Sequence, residues 1–210
     1  MALAGFDTNG GGGKFLDIIK FDARSGILVK SDRIDGTTSI TPLDTKTFKA
    51  VFDLANIEEG WALIASGVAP SFVMVPVGTA RPAKPTPEHR PSFRLRLKLS
   101  KELGGDVREF SSQAVGVGKA ISMLHTAFQN GVKENAGKLP IVGISEVTRI
   151  PGPKGTTFQP QFKIVGWVER PSELLAPEPK PTELFANEGI AAGPPSTGSK
   201  VVTAGEDDFG

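Results

Sequence analysis

The chain has no cysteine and no tyrosine in 210 residues, and only two histidines. Without thiols, a disulfide framework, thiolate catalysis and a cysteine-held zinc site are all excluded. The two imidazoles, His89 and His125, share no metal-ligand spacing such as His-x-x-x-His. Long apolar runs are also missing. None approaches the roughly 20 residues that a helical membrane span requires, and the first residues show no signal-peptide pattern. These absences point to a soluble, cytoplasmic protein with no cofactor and no metal. The carboxylates add no catalytic constellation: Glu58 and Glu59 precede Gly60 in an expected turn, while Asp106 and Glu109 flank Arg108 as surface pairs. An enzyme is therefore not expected.

What the chain does have is a charge split. From Pro171 onward there are seven acids against Lys180 and Lys200, a formal −5, so the overall +1 leaves +6 on residues 1–170. A basic body with an acidic tail suits a polyanion partner, the tail acting as an internal competitor. The tail ends in Glu206, Asp207, Asp208, Phe209 and Gly210. Its Pro/Gly-rich composition offers too little apolar surface to offset the entropy of ordering it, so residues 171–210 are expected to be disordered. Residues 1–13, ending in four glycines, read as a flexible leader. Gly13-Lys14 resembles a P-loop only superficially, because Thr8 and Phe15 stand where that loop needs Gly and Ser/Thr.

Between leader and tail, residues 14–170 are dominated by strand signals. Phe15–Phe21 and Ile27–Lys30 bracket Arg24-Ser25-Gly26 as a hairpin, and this apolar hairpin suits an interface, although the sequence leaves the oligomeric state open. Thr47–Leu54 alternates, with Lys49 opposite Phe48, Ala50 and Phe52. Gly60–Ala65 and Ser71–Val77 follow, and four prolines make 78–91 a loop. In Ser92–Leu99, Phe93, Leu95, Leu97 and Leu99 face one way and Arg94, Arg96 and Lys98 the other. A helix within Gln113–Gln129 carries the stripe Val117, Ile121, Leu124 and Phe128, and Asn130-Gly131 suits its end. Leu139–Thr148 and Phe158–Val168 complete the strands. From Thr47 the order is strand, split strand, strand, helix, strand, strand, which predicts a mainly β, OB-fold-like Greek-key barrel with one α-helix; a mixed α+β sheet with one covering helix reads similarly.

The basic strand carries the chemistry. Arg94, Arg96 and Lys98 recur every second residue, roughly 6.6 Å apart on one face, close to the spacing of phosphates along a single strand. Arg81, Lys84, Arg90 and Lys101 extend the positive field, so residues 81–102 hold seven bases against two acids. A solvated or charge-protected edge strand is the competing explanation. Strict alternation in the last strand puts Lys163 and Trp167 outward, making Trp167 a base-stacking platform, with Trp61 and Phe72 as further candidates.

Trp61 to Val77, Phe93 to Phe110 (FRLRLKLSKELGGDVREF) and Phe162 to Arg170 (FKIVGWVER), with the acidic tip, resemble single-stranded DNA-binding proteins of the phage-encoded replication and recombination group. The resemblance implies an OB-type barrel that binds single-stranded DNA through basic and aromatic residues. It also implies a tail, Glu206 to Phe209 here, that recruits replication or recombination partners and competes with DNA, and a location in the host cytoplasm. Gly210 after Phe209 departs from tails that end on Phe itself. Two alternatives stay open: an RNA-binding or recombination-mediator protein on the same barrel, and a non-enzymatic structural or assembly protein.

Overall fold

The computed structural model describes residues 16–34, 37–65, 70–153 and 155–174. The expected leader, the tail beyond Leu174 and its tip Glu206 to Phe209 lie outside the described residues. The protein is mainly β, with a ten-stranded mixed sheet and one α-helix. In chain order the strands are β1 (Ile18–Asp22), β2 (Ile27–Ile34), β3 (Thr37–Leu43), β4 (Lys49–Phe52), β5 (Glu58–Leu63), β6 (Ser71–Pro76), β7 (Arg90–Leu99) and β8 (Val107–Ser112). Helix α1 (Val115–Gly131) follows, then β9 (Lys138–Gly152) and β10 (Gly155–Glu169). The sheet runs β10-β9-β4-β7-β8-β1-β2-β3, and β5 pairs with both β6 and β7. No described helix is long and apolar enough to cross a membrane.

Strand β7 organises the sheet. One edge pairs with β8, and the other is shared by β4 at Leu97 and Leu99 and by β5 from Arg90 to Arg94. β4 and β5 are thus two parts of one kinked path, interrupted by a short 3-10 turn at Leu54–Asn56. The Asp53 N–H bridges the kink by donating to the Arg96 carbonyl at 2.9 Å. The expected turn at Glu58-Glu59-Gly60 is strand instead, and Gly60 is required there because a Cβ would collide with the Val73 carbonyl oxygen of β6.

The barrel expectation needs correcting: the sheet is not closed. Closure in the expected order would bring the strand before the helix alongside the last strand. That edge of β8 is taken by β1, which pairs with it in parallel through Ile18 and Ile19. β10 reaches the β1–β2 turn through one backbone bond, Phe158 N–H to Ala23 O at 2.7 Å. Two strands, β3 and β8, were not foreseen. β3 (TTSITPL) has no apolar alternation and contains Pro42, and β8 interrupts its alternation with a buried arginine.

The core lies between the inner face of the sheet and α1. Phe48, Phe52, Leu95, Leu97 and Phe110 meet the helix stripe Val117, Ile121, Leu124 and Phe128, all of them buried. Edge-to-face rings (Phe48 with Phe52, Phe52 with Phe110, Phe93 with Phe110) fill its centre. Truncating a residue such as Leu97, fully buried here, would cost about 2–5 kcal/mol. Packing continues past Pro171: Ser172–Leu174 forms a 3-10 turn whose Leu174 is buried.

The helix ends two residues later than expected and not on a left-handed glycine, since Val132 caps it in right-handed geometry. Gly131 serves a different need. A Cβ there would sit 2.7 Å from the Trp167 ring, and that ring is itself stacked on Phe128 and cannot give way easily. Gly118, in the same helix, has nothing within 4 Å of its Cβ direction. Gly118→Ala is therefore expected to stabilise the fold by up to about 1 kcal/mol through helix propensity. Gly131→Ala should destabilise it by about 1–3 kcal/mol through overpacking. Thermal or urea unfolding of the two variants checks this, and equal shifts of one sign would remove the packing role of Gly131.

Candidate nucleic-acid interface

Alternation from Phe93 to Leu99 places the cations of β7. Phe93, Leu95, Leu97 and Leu99 are buried, while Arg94, Arg96 and Lys98 lie on the outer face. Directly facing residues of paired strands share a face, so the sheet register extends this surface. Lys98 faces Val51, and Lys49, two residues back on β4, faces Gly143, which in turn faces Lys163 on β10. Lys49 and Lys163 thus flank a residue with no side chain, on the same outer face as the β7 cations. Lys49 was not among the residues singled out from sequence, although its opposite parity to Phe48 was legible.

Phe72 joins this face. It lies opposite Ala62 in the β5–β6 hairpin, and the Arg94 guanidinium sits over its ring at 5.7 Å. Arg90 opens β7 and Lys101 lies in the 3-10 turn beyond its end, both exposed at opposite ends of the strand.

Two other aromatic candidates lie elsewhere. Trp61 faces Val73 and Pro91 on the opposite side of the hairpin. Its indole N–H donates to the Pro82 carbonyl at 2.8 Å, and Arg81 and Lys84 cover the ring. Arg81 is paired with Glu59. Arg81 and Glu59 in turn line a groove of about 550 Å³ between α1 and the β5–β7 region, with Ile57, Phe93, Ile121 and His125 among its other walls. Burial holds the His125 imidazole below the ordinary histidine range, with Glu59 pulling weakly the other way.

Trp167 is the clearest departure from expectation. The register slips between Ile164 and Gly166, inserting Val165 as an extra residue. Such a bulge reverses the alternation beyond it. Lys163 stays outward, but Trp167 turns inward and stacks on Phe128, ring centroids 5.8 Å apart. The helix covers one face of its ring, so Trp167 does not stand on the outer face with Lys163.

The outer face also carries acids. Arg94 donates through Nε to Glu58 at 2.8 Å, and Lys98 pairs with Glu173 at 2.5 Å. Arg96 faces Glu109 across the β7–β8 ladder without forming an ion pair within 4 Å. Among the described residues Arg90, Arg96, Lys49 and Lys163 are the cations on the β4, β5, β7 and β10 part of this face that have no ion pair within 4 Å. Glu173 is held in place: Arg170 bonds both Asp53, at 2.7 Å, and the Leu174 carbonyl, at 3.3 Å.

Arg108 is not the surface residue expected. It is 2 % exposed, bonded to the carboxylates of Asp32 and Asp106 and to the Ser31 carbonyl, and so ties β2 to β8. Burial works against its charge, but the two carboxylates more than offset this and hold it above the ordinary arginine value. Among the described residues no three His, Asp or Glu side chains converge as metal ligands.

Comparison with protein-family models, with curated proteins and with solved structures gives no match for this chain.

Glu109 sits half-buried among these charges. Burial raises its carboxyl above the ordinary glutamate value; Arg94 opposes the rise and Glu58 adds to it. A carboxyl raised by folding is destabilising once ionised. Its contribution is intact below the unfolded value and is lost as pH rises through the raised one. Glu109→Gln should therefore unfold at the same temperature as the parent near pH 4 and at a higher one at pH 7. A difference between the two proteins that does not change with pH would show that Glu109 is not desolvated.

Proposed function

We propose that the protein is a sequence-independent single-stranded DNA-binding protein without catalytic activity, acting in replication or recombination. The observation that carries this is the outer face, where Arg90, Arg94, Arg96, Lys98, Lys49 and Lys163 share one surface with the partly exposed Phe72. Phosphates would run along the cations while Phe72 offers a ring to a base, a contact worth about 1–3 kcal/mol. Cations spread over neighbouring strands, with no helix projecting from this face, suit a flexible strand better than a duplex groove.

Connectivity supports an OB-type core with an opened seam. Taking β4–β5 as one kinked strand, the order β4/β5, β7, β8, α1, β9, β10 has three antiparallel strands, a helix, and two further strands. β9 returns antiparallel to β4. In that arrangement β1 occupies the seam that β8 and β10 would otherwise close.

The ion pairs shape the expected salt dependence. Phosphates must displace Glu58 and Glu173 to reach Arg94 and Lys98, so these two exchange one ionic partner for another. At about −0.7 per phosphate contact, the four unpaired cations give a slope near −3 in log K against log salt, and all six give about −4. The acidic tail, −5 from Pro171 onward, acts as a competing polyanion and as a recruiting segment for replication or recombination proteins.

The test is fluorescence anisotropy of labelled oligo-dT, oligo-U and a duplex across a salt series. Tight oligo-dT binding with a slope between those limits is expected, weakened for all sequences alike by Arg96→Glu. A truncated chain should end after Leu175, because cutting at Arg170 would also remove Glu173 from Lys98 and the buried Leu174. That truncation is expected to bind more tightly than the full chain. Preference for oligo-U would move the assignment to RNA, equal or tighter duplex binding would end the single-strand proposal, and no binding at low salt would leave a structural or assembly role.

A further inference from the structure

Among the described residues, strand β3 is an open edge of the sheet, hydrogen-bonded to β2 alone. Exposed edges are normally guarded by charge, by proline or by a cover, because an unpaired strand templates association. Residues 37–41 (TTSIT) have none of these guards: they carry no charge, all are exposed, and the single proline of the strand, Pro42, comes after them. Their composition, three threonines and an isoleucine, is among the best for forming sheet.

The face beside this edge is mixed: its isoleucines stand among Lys20, which faces Val29, Asp22, which faces Ile27, and Arg33, which faces Thr38. Ile40 is 63 % exposed, Ile27 44 % and Ile18 39 %. The register aligns Ile18, Ser31 and Ile40 across β1, β2 and β3 on one face. Val29 and Pro42 face each other on the same side, and Ile27 follows two residues from Val29. Ile40, the most exposed of these isoleucines, stands within the uncharged stretch of β3 itself.

We propose that β3 pairs antiparallel with β3 of a second copy of this chain, forming a two-fold dimer. An isologous interface requires a surface complementary to itself. A strand of Thr, Ser and Ile meets that condition, since Thr–Thr and Ile–Ile cross-strand pairs are favourable and no like charges oppose one another. β3 itself offers little to other occupants: Thr37–Leu43 holds no charge, and on the face of Ile40 the one cation directly facing it is Arg33, opposite Thr38 on β2. The dimer does not depend on nucleic-acid binding and stands or falls separately from it.

The geometry gives a direct test. Antiparallel pairing of identical strands about a two-fold sets one residue directly opposite its own copy, with Cβ atoms about 4.5–5.5 Å apart, near disulfide reach. The chain has no cysteine, so single cysteines can be placed at Thr37, Thr38, Ser39, Ile40 and Thr41 in turn, with Met123, exposed on α1, as control. The full chain is expected to sediment as a concentration-dependent dimer in the micromolar range. Mild oxidation should link one of the five positions far more than its neighbours, and Met123→Cys not at all. Ile40→Lys should shift the same chain toward monomer while leaving its circular dichroism unchanged. A monomer throughout that range, a dimer that none of the five cysteines can link, or a dimer indifferent to Ile40→Lys would each overturn the proposal.

Discussion

Strand β7 is bonded along both edges and alternates from Phe93 to Leu99, and most of the molecule depends on that pair of facts. Its inward set, Phe93, Leu95, Leu97 and Leu99, meets the helix stripe and the rings of Phe52 and Phe110. A shift of register by one residue would drive Arg94, Arg96 and Lys98 into this core, where each unpaired charge would cost several kcal/mol. The apolar face therefore fixes where the cations stand, and the cations penalise any alternative register. Core packing and surface charge are specified by the same ten residues.

The outer face is less positive than its cations alone suggest. Glu58 and Glu173 already neutralise Arg94 and Lys98, and Glu109 lies opposite Arg96. These exposed pairs contribute little to stability, about 0–1 kcal/mol each. Their larger effect is on what binds: a phosphate gains only the difference between itself and the carboxylate it replaces, whereas at Arg90, Arg96, Lys49 and Lys163 it gains a new partner. Such a surface favours a ligand that contacts many sites at once over one that binds any single cation strongly. A polymer of phosphates fits that condition, and a small anion does not.

Much of this was legible in the sequence, and the failures have definite causes. The basic stripe, the helix and its four-residue stripe follow from period alone, and the structure keeps them. Trp167 was misplaced because alternation was carried through Val165, and an inserted residue leaves no mark in a chain of valine, glycine and tryptophan. Asn130-Gly131 reads as a helix stop, whereas the constraint on Gly131 is contact with the ring of Trp167, far away in sequence. β8 escaped because Arg108 breaks its apolar face, and only the tertiary fold supplies Asp32 from β2 to make that burial tolerable. The open seam was invisible for a similar reason: parallel pairing of β1 with β8 joins residues 91 apart, Ile18 with Glu109, and leaves no local pattern.

The seam and the open edge are connected. By taking the edge of β8, the β1–β2–β3 hairpin lets the sheet continue outward instead of closing, and β3 becomes the place where the unpaired backbone appears. One row of facing residues runs from Arg96 through Glu109, Ile18 and Ser31 to Ile40, so the cationic surface and the uncharged edge are parts of one outer face. Antiparallel pairing about a two-fold perpendicular to a sheet keeps that face continuous between copies. Nine strand-to-strand steps of about 4.8 Å would separate the two Arg96 residues, roughly 43 Å along the surface. Each step also turns the sheet by about 20–25°, so the two cationic regions would be wound around each other rather than coplanar. A ligand spanning both must bend sharply over that distance. A duplex, with a persistence length near 150 base pairs, resists this strongly, and a single strand does not. Twist alone would then discriminate between the two forms of DNA, with no base contact required.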